Sequence, residues 1–128
     1  MGESETFGIE KGNGEKVIQW INSKAKKQNW KLETRLYGYE IKTRNFGDFE
    51  MFSWIGDTKV ARNLVAKASR RFKIRVIEGG FRTKERTFGT KKTDYAMVRK
   101  GDKILGHLQF SASRLGNEKW KLEAEERK

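Results

Sequence analysis

Val17, Ile18, Ile21 and Ala25 fall three or four residues apart within "EKVIQWINSKAKKQ", which draws one apolar stripe about 100° wide along a helix over 15–28. Trp20 turns away from that stripe, toward Lys16, Ser23 and Lys27. A second stripe, Val60, Ala61, Leu64, Val65 and Ala68, predicts a helix over 58–71, with Asp57 or Thr58 supplying an N-cap oxygen. Between the two, "NWKLETRLYGYEIK" alternates Trp30, Leu32, Thr34 and Leu36 with Lys31, Glu33 and Arg35, then changes phase around Gly38, the pattern of a strand with a bulge. "FEMFSWI" is apolar on both faces and predicts a buried strand closed by Gly56. "FKIRVI" puts Phe72, Ile74 and Val76 on one face and Lys73 and Arg75 on the other. "DYAMVR" and "KILGHLQF" flank Gly101-Asp102, a two-residue hairpin signal. "NEKWKLEAEERK" reads as a last strand through Trp120 and Leu122 in preference to a frayed helix.

The predicted order is α-β-β-α-β-β-β with that last strand added. It gives an α+β class, a mostly antiparallel sheet with two helices packed on one face. Residues 1–14 hold four glycines and only Phe7 and Ile9 as large apolar residues, so a flexible N-terminal arm is expected there and a single domain over 15–128. A faint internal echo is present, since helix-then-"NWKLET" resembles helix-then-"RFKIRV".

Charge changes the picture more than size does. The chain has 128 residues, 29 Lys and Arg against 17 Asp and Glu, and a formal charge of +12. Most of the excess lies between Thr58 and Lys103, where fifteen basic residues face four acidic ones. Such asymmetry attracts polyanions. Absence of cysteine removes disulfides, thiolate metal sites and cysteine nucleophiles, and fits a reducing cytoplasmic setting. No apolar run is long enough to span a bilayer, so a soluble intracellular protein without a membrane partner is expected.

The face of the second helix opposite its stripe collects Lys59, Arg62, Ala66, Ser69 and Arg70, with Lys67 nearby. Small residues among long cations allow close approach to a phosphate backbone, with the Ser69 hydroxyl as a further donor. Lys73 and Arg75 extend the set onto the following strand. In "FRTKERTFGTKK", Arg82, Lys84 and Arg86 would line one side of an extended chain about 6.6 to 6.8 Å apart, close to the spacing of successive phosphates, with Lys91 and Lys92 following. Phe81 and Phe88 frame that row and, with Trp20, are the candidate rings for stacking on an unpaired base.

Catalytic signals are weak. His107 is the single histidine, set in a strand pattern with no serine or cysteine placed beside it as a nucleophile. Glu40 and Lys42, with Asp48, Glu50 and Asp57 downstream, have the step that ends some metal-dependent nuclease motifs, but the preceding carboxylate is missing. No phosphate-binding glycine loop or dinucleotide fingerprint occurs, and no cofactor is implied. The expectation is a non-enzymatic nucleic-acid-binding protein, DNA or RNA, that contacts phosphates with little sequence preference. Its rivals are a small regulator or inhibitor of viral or mobile-element type docking on an acidic protein partner, and, behind both, a nuclease.

Overall fold

The computed structural model describes the backbone of residues 3–79, 92–115 and 119–127, and side chains within 5–35, 40–79, 95–110 and 124–126. In chain order the elements are β1 (Glu3–Glu10), α1 (Gly14–Lys27), β2 (Leu32–Lys42), β3 (Asp48–Gly56), α2 (Thr58–Phe72), β4 (Arg75–Glu78), β5 (Lys92–Lys100), β6 (Lys103–Leu115) and β7 (Lys119–Arg127). The strands form one seven-stranded sheet in the order β2-β3-β1-β4-β5-β6-β7, with every neighbouring pair antiparallel. The α+β class, the helices and the final strand are as the pattern predicts. The first six elements make a split β-α-β unit, and β5, β6 and β7 extend it as a meander from the β4 edge.

The expected N-terminal arm is instead β1, which lies in the interior of the sheet between β3 and β4. Phe7 and Ile9 are fully buried among residues from both helices, including Val17, Ile21, Leu64 and Val65, and from Phe52, Trp54 and Val76 of the sheet. Two buried side chains of this size supply about 1.5–3 kcal/mol each, enough to hold a short strand. Gly8 had suggested mobility, yet a Cβ there would stand 3.0 Å from both Ile77 Cδ1 and Met51 Sδ. It is a packing glycine.

The central strands are buried on both faces, by different means. One carries α1 and α2. On the other, Ile41, Phe49, Met51, Ile77, Ala96, Val98, Leu108 and Phe110 form a second core that contains no helix residue. Its members run from β2 at one edge to β6 near the other, so the sheet curls until β2 and β7 come into contact. Phe46, in the loop after β2, packs onto that core at Gly106 of β6. Beside it, the Asn45 backbone N–H and side-chain Nδ2 both donate to the Glu126 carboxylate, at 2.8 and 2.7 Å.

Local chemistry sets the chain reversals. Gly101 has φ +62° and Asp102 does not share it, the signature of a type II′ hairpin between β5 and β6. The echo seen in the sequence has a backbone counterpart, because both helices leave through a left-handed residue, Asn29 at φ 56° and Lys73 at φ 55°. "FKIRVI" therefore does not form a strand throughout. Phe72 ends α2, Lys73 caps it, and Arg75 opens β4. The Asp57 side chain makes no cap bond but accepts from the Lys31 N–H at 3.0 Å, tying the end of β3 to the start of β2.

The curl is testable at its tightest contact. A Cβ added at Gly106 runs into the Phe46 ring, so Gly106→Ala is expected to cost about 1–3 kcal/mol in urea denaturation. In a Phe46→Ala background most of that cost should vanish, because the two changes share one space.

Candidate nucleic-acid interface

α1 and α2 lie side by side over β1, β3 and β4, and the N-terminal half of α1 meets the C-terminal end of α2. Together they carry nine basic residues and one acidic, Glu15, against 29 and 17 for the whole chain. Apolar stripes turn inward on both, so the charge is confined to the outer surface. Between the helices, Trp20 meets Phe72 edge to face, with centroids 6.1 Å apart. Lys16 Nζ lies 5.0 Å from the Phe72 ring centre, Arg71 5.8 Å from the same ring, and Lys24 Nζ 5.6 Å from Trp20. Each such contact is worth about 0.5–1 kcal/mol at an exposed site. Among the described residues, Lys16, Lys24, Lys67 and Arg71 have no carboxylate within 4 Å.

The basic residues singled out from the sequence do not form one continuous face among the described residues. Lys59 and Lys67 are exposed on α2, and Lys73 is exposed at its end. Arg62 instead donates two bonds to Glu5 of β1, at 3.1 and 2.9 Å, and Arg70 donates to Asp102 of the β5–β6 turn at 2.9 Å. Arg75 leaves the helix side altogether and grips Glu10 at 2.6 Å on the opposite face. Ser69, expected to donate to phosphate, is 1% exposed; its hydroxyl donates to Ile74 O at 2.7 Å and accepts from the Gly101 N–H at 2.9 Å. It clasps the end of α2 to the β5–β6 hairpin. Trp20 is half-buried between the helices rather than free to stack. Phe81, Arg82, Lys84, Arg86, Phe88 and Lys91 lie outside the described residues, and of Lys92 only the backbone, opening β5, is described.

Lys16, Lys24 and Arg71 are not among the basic residues singled out from the sequence. Their signal was available: Lys24 follows Trp20 by four residues on one helix, Arg71 adjoins Phe72, and the helices have a lopsided charge balance that a count centred on 58–103 divides in two.

No protein-family model, curated protein or solved structure matches this chain. No helix among the described residues is long and apolar enough to cross a membrane, and no group of three or more His, Asp or Glu among them is placed to hold a metal. Glu40, the residue of interest for a nuclease, accepts from Lys11 Nζ at 2.9 Å, and that bond holds its carboxyl below, and the Lys11 ammonium above, their ordinary values. Glu50 accepts from the Gly14 N–H at 3.3 Å and Asp57 is tied to Lys31, so these carboxylates serve separate structural bonds.

Glu10 carries the electrostatics of the opposite face. Burial pushes its carboxyl up, but the Arg75 side-chain and backbone hydrogen bonds outweigh burial and leave it below its ordinary value. A carboxyl depressed on folding stabilises fully above its unfolded titration and loses that contribution as pH falls through the folded one. Glu10→Gln is therefore expected to cost about 1–3 kcal/mol at neutral pH. In urea denaturation the deficit should shrink as acid neutralises Glu10 in the parent protein; a deficit independent of pH would contradict the assignment.

Proposed function

We propose that this protein binds nucleic acid without catalysis, holding the phosphate backbone against the outer face of α1 and α2 with little sequence preference. The observation that carries the reading is the nine-to-one charge balance of the helix layer, with Lys16, Lys24, Lys67 and Arg71 unpaired on it. Cations that have no carboxylate partner among the described residues, spread over two adjacent helices, give a polyanion several contacts and give the fold only modest support at the helix C-termini.

An acidic protein partner is the weaker fit. Protein interfaces centre on desolvated apolar or aromatic anchors, whereas the exposed large apolar residues among those described, Trp30, Tyr95 and Ile104, all lie outside both helices. A surface that is polar and strongly positive throughout suits nucleic acid. The cytoplasm suits a cysteine-free chain with this ligand.

Affinity should fall linearly with salt on a log–log plot, at about −0.7 to −0.9 per phosphate neutralised. Lys67→Glu combined with Arg71→Glu should weaken binding about tenfold or more and make the slope shallower by about 2. Lys42→Glu combined with Arg44→Glu, where β2 runs into the loop that closes the other face, is the matched control and should leave the slope unchanged. Fluorescence anisotropy against salt checks both; no binding at low salt, or equal losses in both variants, contradicts the proposal.

A further inference from the structure

Resting on that reading, we infer that the ligand of the helix face is a double-stranded nucleic acid held by its backbone, not a single strand held by its bases. Three observations lead there.

The rings on the basic face are already engaged. Trp20 and Phe72 are packed edge to face at an interplanar angle of 84° and are half-buried against the core, with Lys16 and Arg71 over one and Lys24 over the other. A base that stacked on either would displace a cation that phosphate binding needs and would open the contact between the helices. Stacking and charge compete here, where single-strand sites make them cooperate.

The sheet gives no alternative platform across its central strands. Its helix side over β1, β3 and β4 is covered, and on the other side Phe49, Met51 and Ile77 are each 0% exposed within the second core. Exposed Trp30, Tyr95 and Ile104 are distributed over the α1 exit, β5 and β6, and the last two sit at different levels, opposite Gln109 and Arg99 respectively. Among the described residues they do not make a track of rings.

The cations gather where the helices meet. Lys16 of α1 and Arg71 of α2 lie over the same Phe72 ring and Lys24 over Trp20 beside it, with Lys67 one turn before Arg71. A cluster that grips by charge alone favours the backbone with the denser phosphates, and a duplex releases about 0.9 counterion per contact against about 0.7 for a single strand.

The test uses the full chain and short blunt-ended probes: a DNA duplex, an RNA duplex of the same sequence, and their separate strands, compared by anisotropy at one salt concentration. At least one duplex should bind about tenfold tighter than its strands, and the DNA and RNA arms show which duplex geometry is preferred. Trp20→Leu, which removes the ring but keeps an apolar contact, should change duplex affinity less than about twofold, where loss of a stacked base would cost about fivefold or more. Strands that bind as tightly as the duplexes overturn the inference and leave backbone binding standing. Failure of every probe to bind at low salt removes both.

Discussion

A seven-stranded sheet has two faces to bury, and the described residues include two helices with which to do it. The second face is closed by the sheet itself, which curls until β2 residues share a core with β6. Its tightest contact is the Phe46 ring against Gly106, beside the Asn45–Glu126 bonds that also close it. The curl buries one side of the central strands and the helices the other, which leaves the outer surface of α1 and α2 open.

Charge follows the same partition. Arginines along the edges of the helix layer and in the sheet are held by carboxylates from distant strands: Arg62 by Glu5, Arg70 by Asp102, Arg75 by Glu10 and Arg99 by Glu78. A planar guanidinium suits such forked bonds, and here it acts as a tie between elements. The outer helix surface is left mainly to lysines, which are point charges on flexible stems and suit an irregular row of phosphates. The chain's formal charge alone does not separate the cations tied to carboxylates from those without one among the described residues.

Periodicity made the helices legible, along with the doubly apolar strand "FEMFSWI", now β3, and the Gly101-Asp102 hairpin, because each is decided by residues near one another in the chain. β1 was not legible, since a strand in the interior of a sheet needs few large side chains when its neighbours supply the rest; Phe7 and Ile9 suffice, and Gly8 lies close against Met51 and Ile77. Nor was the curl, which joins loop residue Phe46 to Gly106 across 60 positions of chain. The candidate site was half legible for the same reason. Basic residues can be counted along a chain, but whether each is free depends on carboxylates as far away as Glu10 is from Arg75.

The central claim, that the helix layer is the surface a nucleic acid meets, is tested most directly by lysine-modification footprinting read by mass spectrometry, with and without duplex at low salt. Protection of Lys16, Lys24 and Lys67, with Lys42 and Lys103 reacting as before, is the predicted result. Protection concentrated at Lys42 and Lys103, with the helix lysines still reactive, would contradict the account.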